Sequence, residues 1–461
     1  MAARILTRWD PEDAAFWESE GRSVASRNLF ISIPSLALGF AVWMVWSVVV
    51  VNLPNVGFKF STEELFWLAA LPSLCGAMLR IFYSFMVPIF GGRRWTAIST
   101  ASLLLPTLGI GFAVRDPSTS YSTFAALALL CGFGGGNFAS SMANINFFFP
   151  KAQKGTALGL NAGLGNLGVS LVQFVVPLVV TAGVFGALGG EPQTWTQGTG
   201  VRQIWLQNAG FIWVPFIAVC TIAAWFFMDD LATARASFSD QAVVFRSKHT
   251  WIMCWLYLGT FGSFIGYSAG FPLLSKSQFP QGNALAYAWL GPLIGALIRP
   301  LGGWLSDKVG GAKVSFWNFI AMVAGVIGVL AFLPHDAQGG NFYGFLAMFM
   351  LLFTTTGIGN GSTFRMIPAI FLEERQREAA GRGRAAEEQA VRDANTEAAA
   401  VLGISSAVGA YGGFFIPMSY GASISMTGKA ETALYVFIVF YLTCIAMTWW
   451  FYSRRSAPFQ V

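Results

Sequence analysis

The chain has 461 residues, of which 55% are hydrophobic and only 11% are charged, and its formal net charge is +6. Soluble domains carry about 25% charged residues, so this composition excludes an ordinary soluble protein and indicates a polytopic membrane protein. All five cysteines lie in apolar stretches, which argues against a disulfide framework. The positive charges are expected to orient the chain in a bilayer rather than to bind nucleic acid.

Twelve apolar runs are each long enough to cross about 30 Å of hydrocarbon as a helix. They predict an all-α membrane protein built from two six-helix bundles. The spans are expected near residues 29–53, 65–90, 96–114, 121–149, 156–187, 204–228, 251–273, 284–305, 314–333, 342–371, 397–421 and 431–452. The predicted domains are an N-terminal segment 1–28, a first bundle 29–228, a linker 229–250, a second bundle 251–453 and a tail 454–461.

Lysine and arginine are concentrated in the termini and in every second connection between spans. The remaining connections hold only Lys59, Arg115, Arg202, Lys276 and Lys429. By the positive-inside rule, the termini, the linker and the tail are predicted to be cytoplasmic.

Two polar segments have helical signals of their own. Before the first span, Asp10 suits a helix N-cap and Pro11 the first helical position, which predicts a short surface helix. The segment Glu373–Arg392 mixes both charge signs with many alanines, and we interpret it as a solvated helical loop.

One helix-and-turn unit occurs twice, at Gly76–Arg94 and again at Gly295–Lys313. An offset of 219 residues aligns Arg80 with Arg299, each deep in an apolar run. An arginine in hydrocarbon costs roughly 2.5–3.5 kcal/mol on insertion scales and usually marks a transport pathway. Two arginines at matching positions therefore predict one site built by two repeated halves.

Glycine-rich stretches repeat in the same order. Span 4 and span 10 share G-x-G-N at an offset of 223 residues, which aligns Asn137 with Asn360. Spans 5 and 11 share the pattern G-x5-G-x2-G. Close helix packing explains such glycines without any further role, and a compatible alternative is that these faces slide and bend during transport. On that alternative the gating glycines are Gly159, Gly165, Gly168, Gly403, Gly409 and Gly412.

The stretch G-G-W-L-S-D-K-V-G-G-A-K at residues 302–313 resembles the loop motif of the major facilitator superfamily. In that motif an aspartate and basic residues latch neighbouring helices on the cytoplasmic side. The first-half copy, F-G-G-R-R, lacks the aspartate, which leaves open whether the first half has a latch.

Within that superfamily the chain resembles the NarK-type nitrate/nitrite porters over nearly its whole length. The resemblance is carried by the run around Arg80 and by G-G-N-F-A-S-S-M-A-N-I, G-L-N-A-G-L-G-N-L-G-V and G-A-Y-G-G-F-F-I-P. It implies a transporter that moves nitrate and nitrite across the bacterial inner membrane by rocker-switch alternating access. The spans lack Asp, Glu and His in their middles, which favours exchange of the two anions over proton coupling.

The resemblance also implies which residues hold the anion. Arg80 and Arg299 would clamp it, and its other neighbours would be Phe40, Phe138, Tyr257, Phe261 and, through a hydrogen bond, Asn166. Taken singly, such aromatic residues more often serve core packing. Arg365 is interpreted as snorkelling to the membrane surface or pairing at a gate.

The middle of each predicted span lacks Asp, Glu and His, and the two histidines, His249 and His335, lie at span ends. No metal-ligand cluster, cofactor site or nucleophile–base pair is indicated, so we expect a transporter rather than an enzyme. Its expected partners are the two anions and the lipid bilayer, and it is expected to work as a monomer. Alternatives from the sequence are a proton-coupled nitrate symporter of the same fold, an anion channel and an anion sensor.

Overall fold

The computed structural model describes residues 5–232, 243–334, 339–457 and 459. Residues 233–242 of the predicted linker, His335, and the extreme ends of the predicted N-terminal segment and tail lie outside these ranges.

Long helices make up most of the described chain. They are α1 (Ala14–Val56), α2 (Thr62–Tyr83), α3 (Gly92–Ala113), α4 (Tyr121–Phe148), α5 (Lys151–Val179), α6 (Asn208–Phe227), α7 (Lys248–Tyr257, Leu258–Gly262 and Ser263–Gln278 in succession), α8 (Ala284–Val309), α9 (Gly311–Phe332), α10 (Phe342–Ala379), α11 (Arg384–Thr427) and α12 (Glu431–Ser453). Among the described residues, eleven of these helices are long and apolar enough to cross a membrane. The exception is α7, where Tyr, Trp, Ser, Thr and Gly residues dilute the apolar ones.

The described residues pack as two compact units. The first contains the chain up to residue 232 together with Ser268–Leu293 and Gly413–Gly428. In it α2 packs on α4, α1 on α5, and α3 on α6. The second contains residues 243–267, Ile294–Gly412 and the chain from Lys429. In it α10 packs on α9 and α11, and α12 packs on α9. The domain boundaries expected from the sequence stay a prediction.

Within the described ranges, four short strands accompany the helices. Strands β1 (Ile5–Leu6) and β4 (Asp230–Leu231) pair in parallel, so the start of the chain is tied to the end of α6. Strands β2 (Gln193–Gln197) and β3 (Gly200–Ile204) form an antiparallel hairpin between α5 and α6.

The first helix starts later than the sequence suggests. Asp13, not Asp10, is the N-cap, because its side chain accepts from the backbone N–H groups of Ala15 and Phe16 at 3.0 and 3.4 Å. From Ala14 the helix continues into the first span through one π turn. The prediction of a separate surface helix beginning near Pro11 is therefore wrong.

The charged segment between α10 and α11 is helical, as predicted. Helix α10 extends to Ala379 and α11 begins at Arg384, so both helices run past the apolar spans. The turn between them passes through Gly381 and Gly383 at φ values of 78° and 90°, which disfavour other residues. An ion pair between Arg375 and Glu397 joins the two extensions.

Candidate functional site

Arg80 lies on α2, and only 1% of it is exposed. Its Nε donates to the backbone oxygen of Gly135 on α4 at 3.0 Å. The guanidinium carbon lies 4.7 Å from the ring centre of Phe138 and 5.2 Å from that of Trp43. A cation over aromatic faces is attracted by their negative π surfaces. The carbonyl and the two rings therefore hold this buried charge in place.

Three aromatic side chains form a connected wall beside Arg80. The ring centre of Phe40 lies 5.6 Å from that of Trp43 and 6.0 Å from that of Phe138. All three residues are buried. Trp43 is fixed further, because its Nε1 donates to Pro72 O at 2.8 Å. The structure thus brings Arg80, Phe40 and Phe138 together.

Trp43 is a residue of this wall that the sequence prediction missed. It lies three residues after Phe40 and so shares one face of α1 with it, a spacing that could have pointed to it. Gly135 makes room for the ring, since a Cβ atom at this glycine would lie 2.6 Å from Trp43 Cε2. One glycine of the repeated stretch thus serves the arginine site directly.

Arg299 lies on α8 in the second unit. Its guanidinium carbon is 5.1 Å from the ring centre of Phe364 on α10. Its Nη1 atom is buried and has no hydrogen-bond partner within the ranges that the structure describes. A buried donor without a partner is costly in a protein interior. Arg299 therefore presents a donor that an anion oxygen could satisfy.

Tyr257 and Phe261 lie in the same unit as Arg299 and are both buried. Their rings stack with centres 5.4 Å apart, and Tyr257 lies 6.4 Å from Phe364. Phe261 sits in the π turn Leu258–Gly262, which interrupts the α-helical pattern of α7 directly after Tyr257. Such π turns occur frequently at functional sites. Phe364 links this pair to Arg299.

Phe364 is the second residue that sequence analysis missed. At the 223-residue offset of the repeat its counterpart is Ser141, whereas Phe138 lies three residues earlier on α4. Three residues are about one helical turn, so the two halves place a phenylalanine beside their arginine from adjacent turns of matching helices. Strict alignment of the repeat hides this equivalence.

Asn166 lies on α5 and is 1% exposed. Its Oδ1 atom is buried and has no hydrogen-bond partner among the described residues. Nearby, Gly165 and Gly168 face α1: a Cβ at Gly168 would lie 2.0 Å from Ala37 O, and one at Gly165 would lie 2.6 Å from the Leu36 side chain. Backbone is harder to displace than a leucine side chain, so Gly168 marks the tighter contact.

The matching glycines of α11 behave in the same way. A Cβ at Gly412 would lie 2.3 Å from the backbone of Gly262 on α7, and one at Gly409 would lie 3.0 Å from Tyr257. In contrast, a Cβ at Gly159 or Gly403 would meet nothing within 4 Å among the described residues. The pattern G-x5-G-x2-G therefore combines two packed glycines with one that faces open space in each half.

The loop motif of the second half forms an ion pair. Arg365 Nε on α10 donates to Asp307 Oδ1 at the end of α8 at 2.5 Å. Both side chains are about half exposed. Of the two interpretations of Arg365, the structure shows pairing, with Asp307, rather than snorkelling.

The guanidinium groups and aromatic rings have the chemistry that suits the binding of a planar anion. A guanidinium stays protonated and offers parallel N–H donors that match two oxygens of a planar oxyanion. Aromatic walls favour a flat, weakly hydrated ion over a strongly hydrated one. Among the described residues, no three His, Cys, Asp or Glu side chains come close enough together to hold a metal ion.

Comparison with known proteins gives the family. Residues 35–386 match the model of the Major Facilitator Superfamily. The chain is 52% identical to "Nitrate/nitrite transporter NarU" of Escherichia coli, over 98% of this chain and 97% of that protein. It is 41% identical to "Probable nitrate/nitrite antiporter NarK2" of Thermus thermophilus, over 98% and 97% of the two chains.

Two solved structures share the fold. A bacterial homologue of the lysosomal transporter Spinster, described as inward-facing and occupied, matches with a TM-score of 0.62 at 14% identity, covering 92% of this chain and 96% of that one. The nucleoside transporter NupG matches with a TM-score of 0.61 at 10% identity, over 92% and 98%. These matches confirm the predicted all-α membrane fold. The chain belongs to the Major Facilitator Superfamily and, within it, to the group of NarK-type porters that its motifs resemble.

Proposed function

We propose that the protein exchanges nitrate and nitrite across a bacterial inner membrane by alternating access. The observation that carries this proposal is the environment of the two repeated arginines. Each guanidinium lies against a phenylalanine ring, at 4.7 Å for Arg80 and 5.1 Å for Arg299. The names of the relatives from Escherichia coli and Thermus thermophilus support the same substrates, and the second name supports exchange.

In this proposal Arg80 and Arg299 supply the charge and the donors that replace the hydration shell of the anion. Asn166 offers a further polar group, and Phe40, Phe138, Tyr257 and Phe261 form the flat walls. Trp43 and Phe364 join that set because they lie against the two guanidinium groups. Tetrahedral anions such as phosphate and sulfate fit this lining poorly, since they need more donors than it offers.

The glycines that face their neighbours closely, Gly165, Gly168, Gly409 and Gly412, form contacts that shift as the helices move. The two glycines in open space, Gly159 and Gly403, leave room beside the same helices. Both termini lie in the cytoplasm, as the distribution of lysine and arginine indicates. The transporter works as a monomer and carries out no covalent chemistry.

Counterflow in liposomes tests this function. Purified protein should take up labelled nitrate when the vesicles contain nitrite or nitrate, and should do so much more slowly when they contain phosphate or sulfate. A carrier accelerates uptake when the counter-anion is present, whereas a channel conducts without it. A sensor would bind nitrate and give no flux. Equal uptake with all four internal anions would contradict the proposal.

A further inference from the structure

The two halves of the chain differ at the loop between their second and third helices. In the second half Asp307 and Arg365 form the ion pair described above. The 219-residue offset aligns Asp307 with Pro88, and the 223-residue offset aligns Arg365 with Met142. The first half therefore lacks both partners of that ion pair, and its equivalent positions are apolar.

A carboxylate from elsewhere in the chain meets the first-half loop. Asp230, just after α6, accepts from the backbone N–H of Arg93 at 2.9 Å and from Arg93 Nε at 3.1 Å. Arg94 Nε lies 3.8 Å from the same carboxylate. The pair is buried, with 3% of the Arg93 side chain and 8% of the Asp230 side chain exposed. Removing one member would leave an uncompensated buried charge.

The first-half loop is shaped to receive this carboxylate. Gly91 has φ of 88°, and a Cβ there would lie 2.4 Å from Asp230 Oδ1. The N–H of Arg93 belongs to the first turn of α3, where backbone donors lack a partner within the helix. Asp230 thus caps α3 from a distance of 137 residues in sequence. Arg93 Nη1 also donates to Trp225 O on α6 at 2.8 Å, which fastens the same two helices again.

The residue before Asp230 extends the connection to α1. Asp229 accepts from Arg27 Nη2 at 2.6 Å and from Asn28 Nδ2 at 2.9 Å, and its own N–H donates to Asn28 Oδ1 at 3.0 Å. Strand β4, which contains Asp230, pairs with β1. Two successive aspartates therefore join α1, α3, α6 and the N-terminal strand at one end of the first unit.

We propose that Asp230 and Arg93 form the latch of the first half and act as positioning residues for transport, in place of the missing aspartate of the loop motif. The proposal rests on the transport function proposed above. The loop that they fix follows α2, which carries Arg80 eleven residues before Gly91. It also contacts α4, since Gly92 packs on Asn144, and α4 supplies the Gly135 carbonyl to Arg80. A loosened latch would therefore disturb the movement of α2 and α4 during the transport cycle, and would slow turnover more than it weakens nitrate binding.

The test compares the wild type with Asp230→Asn in nitrite-driven nitrate uptake, with nitrate binding to the purified protein measured in parallel. We expect the maximum rate to fall roughly tenfold while the dissociation constant for nitrate changes by less than about twofold, within the range seen for coupling residues. The matched control is Asp116→Asn, because Asp116 is an exposed aspartate of the same half whose side chain accepts two local hydrogen bonds from Ser118. It should transport at the wild-type rate.

Placing the second-half ion pair in the first half distinguishes a positioning role of the latch from a general effect on folding. The changes Pro88→Asp and Met142→Arg would recreate the second-half ion pair in the first half. In the Asp230→Asn background they should restore at least half of the wild-type rate. Failure of a well-folded triple variant to gain activity, or a wild-type rate for Asp230→Asn alone, would overturn the proposal.

Hydrogen exchange makes the latch testable without transport. In Asp230→Ala, the amide of Arg93 should exchange faster than in the wild type, because it loses its acceptor. Unchanged exchange there would contradict the latch even if transport proceeds. If the wild type itself shows no nitrate–nitrite antiport, the proposed function fails. The amide hydrogen-exchange rates of Arg93 then still decide whether the latch exists.

Discussion

Arg80→Lys and Arg299→Lys are each expected to lower nitrate transport roughly tenfold or more, since lysine keeps the charge and loses the planar fork of donors. In the structure Arg80 Nε donates to the Gly135 carbonyl, and the guanidinium lies against the rings of Phe138 and Trp43. A lysine ammonium is a single point charge, so it cannot hold the Gly135 carbonyl and an anion at the same time with fixed geometry. The measurement is the initial rate of nitrate uptake into nitrite-loaded liposomes, corrected for the amount of folded protein.

Arg202→Lys is the matched control for these two changes. Arg202 also lies over an aromatic ring, 4.0 Å from the centre of Trp195, but it is exposed on the β2–β3 hairpin. The Arg202→Lys change should leave nitrate uptake unchanged, because uptake should fall only when the arginine belongs to the anion site. Near-normal uptake by both Arg80→Lys and Arg299→Lys would mean that these arginines do not hold the anion.

Gly168→Ala and Gly412→Ala are expected to reduce turnover at least as strongly as the two arginine substitutions do. In both cases the added Cβ would lie within 2.3 Å of backbone atoms, of Ala37 on α1 and of Gly262 on α7 respectively. Overpacking of this kind costs about 1–3 kcal/mol, because backbone must move to make room. If these contacts shift during the cycle, transport should fall while nitrate binding persists, which parallel uptake and binding measurements would detect.

The same pattern provides its own controls. Gly159→Ala and Gly403→Ala place a methyl group where no described atom lies within 4 Å. Both variants should transport nearly as fast as the wild type. Loss of nitrate binding together with transport in Gly168→Ala and Gly412→Ala would instead assign those glycines to static packing.

Charge and repetition make the two arginines visible in the sequence, whereas their aromatic neighbours are indicated only by the family resemblance. Arg80 and Arg299 stand out as charges in apolar runs at matching positions, and the structure places Phe40 and Phe138 in the wall beside Arg80. Phe364 escaped notice because its partner in the repeat is displaced by one helical turn. A single aromatic residue in an apolar helix is a weak signal, and only the three-residue spacing from Phe40 points to Trp43.

Asp230 was hidden for a different reason. Its partner Arg93 is 137 residues away, and only the fold brings the end of α6 to the start of α3. The start of α1 shows a smaller, local failure. The sequence favours Asp10 as the N-cap, whereas the hydrogen bonds from Ala15 and Phe16 identify Asp13.

Nitrate uptake at clamped pH, with nitrite inside the vesicles or absent, tests the central claim most directly. The proposed site consists of arginines, aromatic residues and an asparagine, and no Asp, Glu or His side chain is among its proposed residues to carry a proton. We therefore expect internal nitrite to drive uptake and an imposed proton gradient to change it little. Robust uptake into nitrite-free vesicles under an inward proton gradient would contradict exchange and would establish proton-coupled symport instead.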